Sequence, residues 1–200
     1  ALNTPAAPPR PPAPPRAAAA RRKPELEQAS DYFLAVIFPH HQMKIMDYNR
    51  VVKDLNGLTA DDFLARIATA YAVTPARGQV KPSCPGEVGL YLGGGRWYRL
   101  NIDPKLFVSD PVARLDVSLL SDHVLGPILG IADLRRDKRI DFVGGIRGLG
   151  ELERRVDSGE MAAAFAMHPT SLKDLMAVAD AGQVMPPKST WFEPKLADGL

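Results

Sequence analysis

The run EVGLYLGGGRWYRLNI, residues 87–102, has the pattern of a β-hairpin. Two stretches rich in apolar and aromatic residues flank three successive glycines, and glycine accepts the positive φ that tight hairpin turns require. The triple glycine also resembles a phosphate-binding loop, but it lacks the Lys-Ser/Thr pair of a P-loop and the strand-to-helix setting of a dinucleotide site. The sequence therefore predicts an antiparallel pair of strands at 88–92 and 96–102.

The segments on either side of this hairpin predict a mixture of strands and helices. A continuous apolar and aromatic run at 32–38 is typical of a strand buried on both faces. Thr59 and Ser171 precede segments with helical spacing of apolar residues, where they can cap the first turn. We expect one α+β domain over 31–200, with helices packed on an antiparallel or mixed sheet. The other predicted elements are strands near 43–48, 140–143 and 161–167, and helices near 59–69, 115–125, 149–157 and 171–181.

Residues 1–30 differ in composition from the rest of the chain. They are rich in proline, alanine and arginine, and such a segment has little to bury against a core. We therefore expect a disordered low-complexity tail that samples polyproline II. It serves either as a linker or, because Pro-x-x-Pro spacing occurs, as a ligand for an aromatic-lined groove.

Charge and composition exclude several classes of protein. The formal net charge of the chain is +2, yet the first 24 residues hold five basic residues and no acid, so the remainder is acidic overall. A net negative charge on the part of the chain that follows residue 24 argues against a nucleic-acid-binding face. The single cysteine, Cys84, rules out an internal disulfide and a thiolate zinc cluster. No apolar run reaches the ~20 residues of a membrane span, and no signal-peptide pattern is present, so we expect a cytoplasmic protein that does not enter the membrane.

Candidate catalytic residues are few. Cys84 lies in a Pro- and Gly-rich turn, and His123 follows Asp122 on a predicted helix. Each could serve as a nucleophile or an acid/base, although a surface cysteine and a half-buried helix histidine are common structural residues. No complete catalytic constellation accompanies them, and no cluster with metal-ligand spacing occurs.

The segment MPPKSTWFEPK, residues 185–195, has the strongest functional signal. Its prolines stiffen the backbone, and Trp191 and Phe192 supply apolar area that can anchor a loop. Lysines, hydroxyls and free backbone N–H groups suit a phosphate or a carboxylate. The alternative is a well-anchored structural loop without a ligand.

A second basic segment, residues 137–145, predicts a short strand that ends at Gly144 and Gly145. Paired glycines allow the backbone to approach a ligand closely. We expect this end of the strand to lie beside the 185–195 loop, so that both form one basic pocket. Asn49 and Arg50 should border that pocket, with Trp191 mostly buried as the anchor.

Taken together, the segments 32–38, 47–55, 138–145 and 185–195 resemble the family named domain of unknown function 1015, a bacterial and archaeal group. The resemblance spans about 31–200 and corresponds to the C-terminal half of longer members. It implies an N-terminal half with an Asp-Gly-His-His-Arg motif, similar to the nucleotide-binding box of ParB-like proteins and free-serine kinases. This chain lacks that motif, so we expect it to be a fragment of a longer protein.

The resemblance to this family implies a small-molecule phosphotransfer enzyme of serine metabolism, acting on serine or phosphoserine, with a nucleotide in full-length relatives. The alternative is a regulatory or scaffolding module that binds an anionic metabolite without chemistry. The ParB-like motif of the family also suggests nucleic-acid binding, but the net negative charge of the chain after residue 24 argues against it. The predicted ligand-binding residues are Asn49, Arg50, Lys53, Lys138, Arg139, Gly144, Gly145, Lys188, Ser189 and Thr190.

Overall fold

A computed structural model describes Pro39 and residues 42–192, which lie within one compact unit, Phe38–Leu200. The predicted tail at 1–30 and the predicted strand at 32–38 fall outside the described residues. The elements in chain order are β1 (Ile45–Met46), β2 (Tyr48–Val52), α1 (Ala60–Ile67), β3 (Tyr71–Ala76), β4 (Glu87–Tyr91), β5 (Trp97–Ile102), α2 (Asp116–Leu120), β6 (Ile140–Gly144), α3 (Gly148–Asp157), β7 (Ala163–Met167), α4 (Leu172–Asp180) and β8 (Trp191–Phe192).

The fold is α+β, as the sequence predicts. Six strands form one sheet in the order β3-β5-β4-β7-β2-β6, and every neighbouring pair is antiparallel. The two short strands β1 and β8 pair antiparallel in a separate ribbon. The first strand of the ribbon directly precedes β2, so the ribbon brings the 185–192 segment to that end of the sheet.

The predicted hairpin is confirmed as β4 and β5, which pair from Glu87↔Asn101 to Tyr91↔Trp97. The three turn glycines all have positive φ, of 79°, 59° and 76°. The second and third glycines use their N–H groups internally, because Gly94 donates to an Asp157 carboxylate oxygen (2.9 Å) and Gly95 to the Tyr91 hydroxyl (3.0 Å). A carboxylate of the protein itself thus occupies the place that a phosphate would take.

Two strands differ from the sequence prediction. The strand expected at 43–48 is instead β1 followed by β2, and β2 continues through residues that resemble a polar strand exit. The sequence pattern does not indicate a buried strand here because Asn49 and Arg50 are polar, yet both are buried, with 0% and 1% exposure. The strand β3 was not predicted. It contains Pro75, which is tolerated because β3 lies at the sheet edge and pairs only with β5.

All four predicted helices are present. Thr59 caps α1 by accepting from the Asp62 N–H, and Ser171 and Asp174 form a capping box at α4. Helix α3 covers Gly148–Asp157 as expected. The helix predicted at 115–125 is α2 continued by one π-helical turn, Ser121–Leu125.

Helices cover both faces of the sheet. Phe63, Leu120 and Val178 bring α1, α2 and α4 onto the core of one face, which also contains Val52 of β2. Leu152 brings α3 onto the other face, which contains Val51. Since side chains alternate along a strand, Arg50 points to the same face as Val52 and therefore toward the α1/α2/α4 side.

Candidate functional site

The 185–192 segment lies against the end of β2 and β6. Its residue Trp191 pairs with Met46 in the β1–β8 ribbon, and its indole lies 5.0 Å from the Tyr48 ring in an edge arrangement. Tyr48 is itself paired with Gly144 across β2 and β6. The loop and the glycine end of β6 are therefore neighbours, and we call residues 186–190 the site loop.

Both glycines are required by close packing of protein groups. A Cβ on Gly144 would lie 2.9 Å from three atoms of the Trp191 ring, and one on Gly145 would lie 2.1 Å from Asp47 Oδ1. The Gly145 N–H donates to the Asp47 carbonyl (2.8 Å). The space at these glycines is filled by Trp191 and Asp47, and Trp191 also lines the cavity of the site.

Arg50 is a buried cation directly behind the site loop. Its Nη2 donates to the Lys188 carbonyl (3.0 Å), its Nη1 donates to the Tyr48 carbonyl, and its guanidinium carbon lies 5.7 Å from the centre of the Phe142 ring. Its Nε is buried without a hydrogen-bond partner. Burial lowers the pKa of Arg50 to about 10, against the opposing effects of Tyr48 and Asp116, so the side chain remains charged at neutral pH.

Lys188 presents the exposed cation of the site loop. Its Nζ lies 5.9 Å from the centre of the Tyr48 ring, a cation–π distance. Its backbone has φ of 56°, which costs a non-glycine residue roughly 1–2 kcal/mol. The adjoining cavity has a volume of about 340 Å³ and is lined by Tyr48, Met185, Pro186, Lys188, Ser189, Thr190, Trp191 and Phe192. A cation, a hydroxyl and aromatic walls thus meet at one opening.

Asn49 and Ser189 use their side chains within the protein. Asn49 Oδ1 accepts from the Met167 N–H (2.9 Å), and its Nδ2 donates to Asp47 Oδ2 (2.7 Å). Ser189 is 4% exposed and donates from Oγ to the Pro186 carbonyl (2.7 Å). The two residues shape the site, one by joining β2 to β7 and the other by closing the turn of the site loop.

The other predicted cations lie at the opposite end of β6. Val52 pairs with Ile140, and the Lys53 N–H donates to the Arg139 carbonyl (2.8 Å). Ile140 and Gly144 are four residues apart along β6, which corresponds to roughly 13 Å in a strand. Lys53, Lys138 and Arg139 are thus separated from the site loop. The cations that the sequence places in a single basic pocket lie at two different ends of β6.

Arg139 is also bonded locally. It forms an ion pair with Asp137 (2.7 Å) and donates to the carbonyls of Leu129 (2.9 Å) and Gly130 (3.0 Å). The Asp137 pairing raises its pKa. Arg139 therefore fastens the turn around residue 130, whereas Lys53 and Lys138 are exposed.

Sequence reasoning did not identify Asp116. This carboxylate accepts from the Gly86 N–H (2.7 Å) and lines a cavity of about 50 Å³ with His168, Thr170 and Asp174. Burial raises its pKa to about 6, with a further increase from Asp174 and opposing effects of the Gly86 hydrogen bond and Arg50. An aspartate in the first turn of a helix is ordinarily a dipole partner, so nothing in the sequence pattern marked its burial.

Neither sequence candidate for catalysis belongs to the site loop. Cys84 is exposed, and its Sγ lies 3.8 Å from a carboxylate oxygen of Glu87, which also accepts from the N–H and hydroxyl of Ser83. His123 lines a separate surface cavity beside Asp122 and Pro127. Within Pro39 and residues 42–192, no group of three or more His, Cys, Asp or Glu side chains is placed to hold a metal ion.

No helix in the described part of the chain is long and apolar enough to cross a membrane. A comparison with curated proteins found no match.

Among solved structures, the chain is similar to a free serine kinase in complex with AMP, with 13% identity, a TM-score of 0.45, and coverage of 78% of this chain and 57% of the kinase. Two mutants of a free serine kinase match at 14% and 16% identity with the same TM-score. The chain thus spans somewhat more than half the length of these kinases, and the likeness is a loose one.

The family comparison is more direct. The model of the family described as "Protein of unknown function (DUF1015)" matches residues 15–118, which is more than half of the chain and includes β2 with Asn49 and Arg50. The matched range begins earlier than the expected resemblance and ends before the site loop. This chain belongs to the DUF1015 family.

Proposed function

We propose that the cavity at the site loop binds a small metabolite bearing a phosphate or a carboxylate. The observation that carries this proposal is the placement of two cations around it: Lys188 is exposed at the cavity and Arg50 is buried behind it. No ion pair among the described residues involves either side chain. Within that part of the chain, neither charge is paired with a carboxylate, and the exposed Lys188 ammonium is the one that an anion in the cavity contacts directly.

The lining of the cavity supports recognition of such a ligand. Thr190 can donate a hydrogen bond to an oxygen of the anion, while the Tyr48 ring lies beside the Lys188 ammonium and Trp191 packs on Tyr48. Charge-assisted hydrogen bonds are the stronger kind, and they strengthen where water is excluded. Because the walls combine aromatic faces with a cation, the ligand joins an anionic group to a small organic part.

We further propose that this chain is the ligand-binding half of a cytoplasmic phosphotransfer enzyme whose substrate is serine or phosphoserine. Phosphoryl transfer depends mainly on positioning and on electrostatic stabilisation, which cations on a stiff loop provide. The lining residues include no carboxylate and no histidine. A general base and the nucleotide would therefore come from the other half of a longer family member.

The same lining favours a second candidate, a regulatory module that binds the metabolite and performs no chemistry. A site with cations and hydroxyls but no acid/base residue binds an anion equally well without turnover. The two candidates share the cavity and differ only in what a longer family member does with the ligand.

The first test is calorimetric titration of the chain with inorganic phosphate, phosphoserine, serine and AMP at matched ionic strength. We expect phosphoserine to bind more tightly than serine, because only the former brings a dianionic group to Lys188. If neither the phosphorylated ligands nor serine, which carries a carboxylate, binds the chain, the proposed site is wrong. Incubating a longer family member with ATP or ADP and serine then separates the two candidates, since only the enzyme forms phosphoserine.

A further inference from the structure

The site loop has an unusual backbone at its centre. Lys188 and Asn56 are the non-glycine residues with positive φ among those that the structure describes, and Asn56 precedes a glycine in an ordinary turn. In the site loop, Pro187 and Lys188 occupy the two central positions of a turn whose ends are bridged by the Ser189 hydroxyl and the Pro186 carbonyl. A positive φ at the third position of a β-turn is the pattern of a type II turn, which favours glycine or asparagine there.

The same sequence fits a second turn geometry. Proline at the second position is compatible with both type I and type II turns, and in type I the third residue has an ordinary negative φ. Rotation of the peptide between Pro187 and Lys188 interconverts them. The type II geometry of Lys188 is therefore maintained by contacts outside the turn.

Two hydrogen bonds supply these contacts, and both use carbonyl groups of the site loop. Arg50 donates to the Lys188 carbonyl (3.0 Å), and Thr170 Oγ1 donates to the Ser189 carbonyl (2.9 Å). The loop thus turns two carbonyl oxygens inward, toward donors on β2 and on the segment before α4. Ser189 is buried as a result.

Arg50 is poorly compensated in this arrangement. It is 1% exposed and bonded to neutral carbonyls, its Nε has no partner, and none of the ion pairs among residues 42–192 includes it. The Phe142 ring and the charge of Asp116 offset its charge only in part, since burial still lowers its pKa. A buried guanidinium normally pairs with an anion, because carbonyl dipoles compensate its charge incompletely. Arg50 therefore binds an anionic oxygen more strongly than the Lys188 carbonyl.

We infer that the site loop is a latch. In the closed state the Lys188 carbonyl accepts a hydrogen bond from Arg50, and when the loop is released an anionic ligand accepts that hydrogen bond instead. The closed state is the one in the structure, in which Arg50 and Thr170 each donate a hydrogen bond to the site loop. The open state lets one ligand anion contact Arg50 and the Lys188 ammonium together. This inference rests on the proposed anion site and adds its regulation: the apparent affinity is set by the fraction of molecules with the loop released.

Replacing Thr170 with valine (Thr170→Val) tests the latch, because it removes the hydrogen bond to the Ser189 carbonyl and leaves Arg50 and Lys188 in place. The loop should release more often, so that inorganic phosphate binds about three- to fivefold more tightly, the effect expected for one ordinary hydrogen bond. Hydrogen exchange at the amides of 188–190 should also become faster without ligand. Thr69→Val is the matched control, since the Thr69 hydroxyl donates to the Arg66 carbonyl (2.7 Å) at an exposed position.

The readouts separate this inference from the proposed function. If phosphate binds the wild-type chain but Thr170→Val binds it equally or more weakly, the latch is wrong and the anion site stands. If Thr170→Val accelerates exchange at 188–190 without increasing affinity, the loop opens but does not compete with the ligand, and the latch is again wrong. If phosphate, phosphoserine and serine all fail to bind the wild-type chain and the variants, both proposals are wrong.

Discussion

Replacing Gly89 with alanine (Gly89→Ala) is expected to destabilise the protein by about 3 kcal/mol or more. Gly89 lies in the buried strand β4, between β5 and β7, and an added Cβ would lie 2.3 Å from the Val80 carbonyl oxygen. It would also approach the Cβ atoms of Ala166 and Val80 at 3.2 Å. Forcing a methyl group into a packed core ordinarily costs 1–3 kcal/mol, and here the nearest atom belongs to the backbone.

The free energy of unfolding from a urea titration measures this effect. Gly150→Ala is the matched control, because Gly150 lies in α3, is exposed, and has nothing within 4 Å of an added Cβ. Alanine at that helix position should stabilise the chain by up to about 1 kcal/mol. Equal stabilities of Gly89→Ala and wild type would show that β4 does not pack against Val80 as described.

Replacing Asp116 with asparagine (Asp116→Asn) is expected to stabilise the protein by up to about 3 kcal/mol at pH 8 and much less at pH 4. Burial raises the pKa of Asp116 from 3.8 to about 6. One pKa unit corresponds to about 1.4 kcal/mol of differential interaction between the protonation states. The ionised carboxylate is thus disfavoured by folding, while asparagine can still accept the Gly86 hydrogen bond.

The sign of the pH dependence follows from the same shift. The unfolded chain releases the Asp116 proton near pH 3.8 and the folded chain near pH 6, so the wild type loses stability as pH rises between these values. The difference in unfolding free energy between Asp116→Asn and wild type should grow across that window and stay constant above it. Asp180→Asn, which changes an exposed carboxylate, is the control. Parallel stability profiles of Asp116→Asn and wild type would contradict the burial of this carboxyl.

Much of the fold could be predicted because its signals are local. The glycine turn of the β4–β5 hairpin and the caps at Thr59 and Ser171 act within a few residues, so they can be recognised without knowing the tertiary structure. The strand β2 could not be placed, because Asn49 and Arg50 are buried by partners distant in sequence, such as Met167 and Lys188. The strand β3 was not predicted either. It contains Pro75, which is tolerated at a sheet edge, and no local signal shows that this strand lies at the edge.

The candidate site was predicted in part for the same reason. Prolines, aromatic residues and lysine marked the site loop and its anchor Trp191, which is largely buried against Gly144 and Tyr48 as expected. The sequence does not show that β6 separates Gly144 from Lys138 and Arg139, since that follows from strand direction and register. Asp116 was missed because its raised pKa arises mainly from burial, with a further contribution from Asp174, and both depend on the tertiary structure.

The central claim is that the Lys188 ammonium binds the anionic group of a ligand at the site loop. Calorimetric titration of Lys188→Ala with phosphoserine tests it most directly, beside Lys105→Ala, which removes an exposed lysine of the 3₁₀ turn Pro104–Leu106. Losing one charge-assisted hydrogen bond should weaken binding about tenfold or more in Lys188→Ala and leave Lys105→Ala unchanged. The unfolding free energy should change by less than about 1 kcal/mol in both, because an exposed lysine contributes little to folding. Equal affinities of Lys188→Ala and wild type would contradict the account.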